Sequence, residues 1–154
     1  TIANDSKGGM ILALERLFEL GHRNIALFTG GSMMSAGSSW RLQIMKDFCS
    51  NRNIFFSEDL CVECDMSVSS LDSFSQARTA MRKFLSKDTP ATAIFASNDI
   101  LALAALHVAN EKGIKVPDEL SIIGMDGILS GEISYPTLTT VEKNRSQIGS
   151  LAAK

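Results

Sequence analysis

The sequence lacks several features that would assign a function class at once. It has no run of about 18 apolar residues, so we predict no membrane-spanning helix, and the polar start TIANDSKGG lacks the basic-then-apolar order of a secretion signal. The 15 Lys and Arg residues are balanced by 17 Asp and Glu residues, and the basic residues are scattered singly. We therefore do not expect this stretch to bind nucleic acid by itself.

Cysteine and histidine are also scarce. Three cysteines, Cys49, Cys61 and Cys64, make an odd number without the spacing of a disulfide framework, which favours a reducing compartment. The pair Cys61-x-x-Cys64 would need two more ligands to hold zinc, and His22 and His107 are far away in sequence. A redox pair would open a helix, whereas LCVEC predicts a short strand. We interpret the cysteines as packing thiols and expect neither a metal nor a cofactor.

What is present is typical of a globular α/β protein. The chain has 154 residues, of which 45% are hydrophobic and 21% charged, enough for one domain or one lobe of a larger domain. It begins at Thr1, in what reads as the middle of a strand-loop-helix passage. We therefore expect it to be a piece of a longer protein.

Apolar residues recur with two periods along the chain. Helical spacing is clear in the first helix, where Met10, Leu14, Leu17 and Phe18 share a face. Four further helices are predicted. The second helix follows the glycine- and serine-rich loop and ends near 51–53, and the third covers 71–85. The fourth runs from a cap at 97–99 to Gly113, and the fifth begins at Ser146. Short apolar runs predict strands at 25–28, 60–64, 93–96, 120–124 and 138–141.

This alternation predicts a fold class. Parallel strands need crossover helices, and strands that are apolar throughout need cover on both faces. We therefore predict an α/β fold with a parallel sheet and helices on both faces, in three layers α/β/α. Such sheets bind ligands beyond the carboxyl ends of their strands.

Polar residues that follow the predicted strands are the candidate site. Arg41, on the first turn of the second helix, offers a forked donor for paired oxygens, and Asn98 and Asp126 follow the third and fourth strands. These groups could converge on one polar ligand. The alternatives are a surface arginine, helix caps at Asn98 and Asp99, and a turn aspartate at Asp126; we expect capping to account for Asp99.

Catalytic alternatives find little support in the same positions. The glycines after the first strand match neither G-x-G-x-x-G nor a phosphate-binding loop. A magnesium-dependent receiver domain would need acids where Thr29, Gly30 and Gly31 stand. No G-x-S-x-G elbow with a downstream histidine is present, and we interpret His22 and His107 as structural. The sequence therefore predicts a binding protein rather than an enzyme.

Several sequence blocks, in order and with matching spacing, resemble the lactose/galactose-repressor family of transcriptional regulators. They are GHRNIALFTGG at 21–31, RLQ at 41–43, AIFASNDILALAAL at 93–106, GIKVPDELSIIGMDG at 113–127 and YPTLTTVEKNRSQIG at 135–149. The likeness runs nearly end to end. It implies a flavodoxin-like lobe of a sensor similar to periplasmic binding proteins, in a protein with an N-terminal helix-turn-helix.

The resemblance also implies roles for individual residues. Arg41 matches the arginine that grips effector oxygens, Asn98 the asparagine after the third strand, and Asp126 the aspartate that accepts hydrogen bonds from the ligand. Met66 falls where many relatives stack an aromatic ring, and its thioether cannot supply a ring face. The identity of the effector therefore cannot be read from the sequence.

By the same resemblance, residues 1–154 form the C-terminal lobe of the effector-binding domain. Segments 1–20 and 138–154 would connect to a first lobe, and the DNA-binding headpiece would lie outside the chain. The expected partners are a small effector (a sugar, sugar phosphate or nucleobase), operator DNA through the headpiece, and a second copy in a cytoplasmic homodimer.

Three hypotheses remain at this point. The leading one is the ligand-sensing domain of a bacterial repressor. The second is a periplasmic sugar-binding protein of a transport system, and the third an α/β enzyme that uses Asp126.

Overall fold

The structure of the protein is a computed structural model that describes residues 5–32, 39–66 and 70–143. Within these ranges, helices and strands alternate along the chain. The helices are α1 (Ser6–Glu19), α2 (Ser39–Asn51), α3 (Ser70–Leu85), α4 (Asp99–Glu111) and the single turn α5 (Leu129–Glu132). The strands are β1 (Ile25–Gly30), β2 (Cys61–Cys64), β3 (Ala93–Ala96), β4 (Ser121–Asp126) and β5 (Thr139–Glu142).

The described strands form one sheet in the order β2-β1-β3-β4-β5, and every pair of neighbours is parallel. The registers are regular, with Phe28 opposite both Val62 of β2 and Ala96 of β3. The predicted parallel α/β fold is therefore confirmed.

Each face of the sheet carries its own hydrophobic core, because successive strand residues point to opposite faces. On one face, Ala26, Phe28 and Ile94 pack against α3 and α4. On the other face, Leu27 and Phe95 pack against α1 and α2. Helices cover both faces, as the apolar strands predicted.

The ends of α1 follow from its sequence. The Gly8 N–H donates to Asp5 Oδ1 at 2.8 Å, which caps the first turn. At the other end, Gly21 has a φ of +93°, and the His22 N–H donates to the Leu17 carbonyl at 3.1 Å. This glycine-dependent reversal ends the helix at the predicted place.

Some predicted boundaries were wrong. β4 continues two residues beyond the predicted end and finishes at Asp126, since Met125 is buried like the residues before it. Leu60 belongs to a 3-10 turn rather than to β2. The turn α5 was not predicted, and the helix predicted from Ser146 lies outside the described residues. In the described ranges, no helix has the length and apolar character needed to cross a bilayer.

Candidate ligand-binding site

The sheet order creates a crevice at the carboxyl edge of the sheet. The chain leaves β1 through α2 on one face, whereas α4, which follows β3, lies on the opposite face. The connections after β1 and β3 therefore diverge, and ligands of open α/β sheets bind at such a switch point. The strand ends are joined below it, since the Ser97 N–H donates to the Phe28 carbonyl at 2.8 Å.

Arg41 lies in the first turn of α2, the helix that follows β1. Its guanidinium carbon is 4.5 Å from the centroid of the Trp40 ring, a cation–π contact. Partial burial lowers the pKa of Arg41 from its usual value. The side chain remains charged at neutral pH, because an arginine pKa is so high to begin with. Arg41 is thus a half-buried fork of donors whose orientation is partly set by packing.

Met66 lies two residues beyond β2 and packs over the end of β1. A Cβ at Gly30 would collide with the Met66 side chain, so the glycine provides the space in which the thioether lies. Met66 therefore packs as an apolar side chain beside the end of β1.

The cap of α4 is made by Asn98 rather than by Asp99. Asn98 caps α4, with its Oδ1 accepting from the Leu101 N–H at 2.9 Å, so the expectation that Asp99 caps the helix was wrong. Asp99 is fully buried and accepts from the Ile128 N–H at 2.9 Å and from the Thr140 hydroxyl at 2.5 Å. The physical reason is where the helix begins, because an N-cap residue has an extended backbone, as Asn98 has with a φ of −156° and a ψ of 167°, whereas Asp99 is already the first residue of the helix.

Asp126 ends β4 with a φ of +143°, a backbone conformation that L-residues rarely adopt. Its carboxylate forms an ion pair with Lys143, which directly follows β5. The two side chains are only 21% and 27% exposed, respectively, so solvent screens the pair less than it would at an open surface. A carboxylate that follows an apolar strand is costly near the core unless a partner compensates for it, and Lys143 is one.

Two residues of this edge, Lys143 and Asp99, were missed by the sequence analysis. Lys143 could have been found by applying the same rule to the fifth strand, since it is the first cation after it. Asp99 gave a weaker signal. In Ser97-Asn98-Asp99 only one side chain is needed for the cap, so Asp99 could be expected to bond elsewhere. Its partners, Ile128 and Thr140, are 29 and 41 residues away in sequence.

The cysteines and histidines lie elsewhere. Cys61 packs on the α1–α2 face of β2 and Cys64 on the α3–α4 face, so this pair cannot face one metal ion. Burial raises the pKa of both thiols to about 11, which keeps them protonated at neutral pH. His22 bridges Thr92 Oγ1 and Ser121 Oγ at the amino edge of the sheet, at 2.9 and 3.0 Å.

A cavity of about 300 Å³ also lies at the amino edge, between the end of α1 and the starts of β4 and β5. Its walls are mainly apolar and include Leu17, Leu20 and Ile122. Because it opens at the opposite end of the sheet from Arg41 and Asp126, it is not the predicted site.

Comparisons with known proteins agree with this geometry. A family model described as a periplasmic binding protein-like domain matches residues 14–154. The transcriptional regulator DegA of Bacillus subtilis, of the helix-turn-helix type, is 35% identical over 96% of this chain and 41% of its own length. The transcriptional repressor PurR of Histophilus somni is 31% identical over 96% of this chain and 42% of its own length. A solved complex of the transcriptional regulator CelR with cellobiose is 29% identical and superposes with a TM-score of 0.80, covering 95% of this chain and 42% of CelR.

The fold is of the periplasmic binding protein type, and the chain belongs to that family. More particularly, it is similar to part of the LacI-family transcriptional regulators among the solved structures, as the sequence blocks indicated. The chain spans about two fifths of the length of the curated relatives it matches.

Proposed function

We propose that this chain is the ligand-sensing lobe of a transcription regulator and that it binds a small polar effector at the carboxyl edge of its sheet. The observation that carries the proposal is the position of Arg41, Met66, Asn98 and Asp126. They come from four different parts of the chain, each at or after the carboxyl end of a strand of the parallel sheet. A binding role also fits the relatives, which are regulators rather than enzymes.

The donors and acceptors at this edge suit a hydroxylated ligand. Arg41 offers a planar set of N–H donors, and Asp126 offers an acceptor. The amide oxygen of Asn98 is used by the helix cap, so the amide NH₂ is the group that can serve a ligand. A sugar hydroxyl can donate to Asp126 and accept from Lys143 at the same time, so the ion pair can bind a hydroxyl without being broken.

We infer that the whole protein acts by a population shift. The relatives are longer than this chain, so a first lobe would close the effector between the two lobes and a headpiece would bind operator DNA. An effector that binds the closed state more tightly than the open state shifts the equilibrium between them. We place this regulator in the cytoplasm, where DNA and reduced cysteines occur together.

We also propose that the regulator works as a homodimer through an exposed apolar patch. Leu129, Ile133 and Tyr135 are 69%, 78% and 92% exposed, and they occupy one short segment beside α4. The Asn110 side chain donates to the Tyr135 carbonyl at 3.3 Å, which attaches this segment to the outer face of α4. Clustered exposed apolar side chains of this kind mark interaction surfaces.

The test is isothermal titration of the full-length protein with a panel of sugars, including cellobiose, sugar phosphates and nucleobases. Arg41→Ala and Asp126→Ala should each weaken a hit by about 10- to 100-fold, because each leaves polar groups of the ligand unpaired. Arg16→Ala and Asp118→Ala remove the same side chains at exposed positions away from this edge, and they should leave the affinity unchanged.

Unchanged affinity in both Arg41→Ala and Asp126→Ala would contradict the site. Turnover of a bound compound that Asp126→Ala abolishes while binding persists would favour the enzyme hypothesis instead. Binding of a sugar without any effect on the affinity for operator DNA would favour the transport hypothesis.

A further inference from the structure

The fully buried carboxylate of Asp99 is not explained by the cap, by the core or by any predicted ligand contact. Placing a charge at 0% exposure is costly unless polar groups compensate for it. Here the compensation comes from the Ile128 N–H and the Thr140 hydroxyl, at 2.9 and 2.5 Å. The carboxylate therefore joins the start of α4 to the segment after β4 and to β5.

The fold makes room for this carboxylate at a specific place. A Cβ at Gly124 would collide with Asp99 Oδ1, so the strand next to Asp99 carries a glycine in its middle. Since glycine weakens a strand interior, its presence in β4 indicates a close approach by another group.

The groups that Asp99 holds immediately follow Asp126. Ile128 is bound directly, and the Gly127 N–H lies 3.4 Å from the same Thr140 hydroxyl that donates to Asp99. Asp126 itself has a φ of +143°. A residue in so sparsely populated a conformation persists only where its surroundings determine it. Asp126 is paired with Glu142 in the β4–β5 ladder and with Lys143 through its side chain, and the hydrogen bonds that follow it directly along the chain are those made by Asp99 and Thr140.

We propose that Asp99 is the positioning residue of the candidate site. It holds the backbone of 127–128, directly and through Thr140, and so fixes Asp126 in the conformation that presents its carboxylate at the carboxyl edge. Asp99 does not touch the ligand itself. The proposal rests on the function proposed above, because it concerns how Asp126 becomes a binding group.

The experiment removes one bond of this network without disturbing the charge. Thr140→Val keeps the shape of the side chain and loses the hydroxyl, Thr140→Ser keeps the hydroxyl, and Thr139→Val is the matched control on the exposed side of the same strand. Asp99→Ala is a second, more severe variant. The readouts, on the 154-residue chain, are amide hydrogen exchange and the HN–Hα coupling constant of Asp126, which reports its φ.

We expect Thr140→Val to speed exchange at Gly127 and Ile128 by about tenfold or more, while Phe95 in β3 is little affected. The coupling constant of Asp126 should change in the same variant. Thr140→Ser and Thr139→Val should resemble the wild type in both respects. A role in overall stability alone would instead speed all three amides together and leave the coupling constant unchanged, and that result would overturn the proposal.

A binding measurement separates this inference from the proposed function. In the full-length protein, Thr140→Val should weaken cellobiose binding by about tenfold if cellobiose binds the wild type. Failure of the wild type to bind any compound of the panel would count against the proposed function. An unchanged coupling constant of Asp126 in both Thr140→Val and Asp99→Ala would remove the role of Asp99, whatever binds.

Discussion

At the scale of a single residue, Asn98 has one observed task and one proposed task. Its amide oxygen caps α4 through the Leu101 N–H, whereas its NH₂ group is the part proposed to bind the effector. Because the two tasks use different atoms, a substitution can remove one and keep the other.

Asn98→Ser keeps a capping oxygen and removes the NH₂ donors. We expect this variant to retain the stability of the wild type within a few tenths of a kcal/mol, since serine caps helices about as well as asparagine. Its effector affinity should fall. Asn98→Ala removes both functions and should lose about 1 kcal/mol of stability as well. Urea denaturation and titration calorimetry on the two variants measure the two effects, and a serine variant with full affinity would show that Asn98 is only a cap.

At the scale of elements, the imidazole of His22 connects the end of α1 to the starts of β3 and β4 at the amino edge of the sheet. His22 follows α1, and its two ring nitrogens contact Thr92, just before β3, and Ser121, at the start of β4. Burial, and secondly the positive charge of Arg23, lower the pKa of His22 from its usual value. The folded protein therefore favours the neutral ring.

This shift predicts how stability depends on pH. The unfolded chain binds the His22 proton more readily than the folded chain, so the stabilisation is complete above the unfolded pKa of about 6.5 and is lost as the pH falls towards the folded value. The denaturation midpoint of the wild type should therefore decrease when the pH is lowered from 8 to 5.5. The decrease should be smaller in His22→Leu. His107→Gln is the control, because it removes the other histidine of the chain at an exposed position. Equal pH dependence in wild type and His22→Leu would contradict the assignment.

The elements themselves could be predicted from the sequence because each carries its own signal. β3 has four apolar residues, all buried, and it was placed without error. α5 could not be predicted, since it is a single turn whose cap residue Ile128 makes no side-chain capping bond. The Asp99 network could not be predicted either, because its bonds join residues far apart in sequence. Asn98 follows β3 and Asp126 ends β4, and the role of Arg41, Asn98 and Asp126 in binding stays a prediction.

At the scale of the whole molecule, the lobe has two surfaces that are proposed to bind partners. The carboxyl edge of the sheet forms one side of the proposed effector cleft. The 129–135 patch, made by Leu129, Ile133 and Tyr135, is apolar and faces solvent. In contrast, the apolar stripe of α1 is covered by its own sheet, with Met10, Ala13 and Leu14 at 0% exposure. The segment boundaries at 1–20 and 138–154 remain predictions.

The 129–135 patch yields the prediction that belongs to this scale. Ile133→Lys places a charge where two copies would have to exclude water, so we expect the full-length dimer to dissociate in sedimentation experiments at micromolar concentration. The fold should be unaffected, within about 0.5 kcal/mol, because Ile133 is 78% exposed within one chain. Phe55→Lys is the matched control, since Phe55 is 82% exposed in a loop outside the patch. If Phe55→Lys dissociates the dimer and Ile133→Lys does not, the interface lies on another face. If Ile133→Lys loses operator binding and Phe55→Lys keeps it, the regulator must be dimeric to bind DNA.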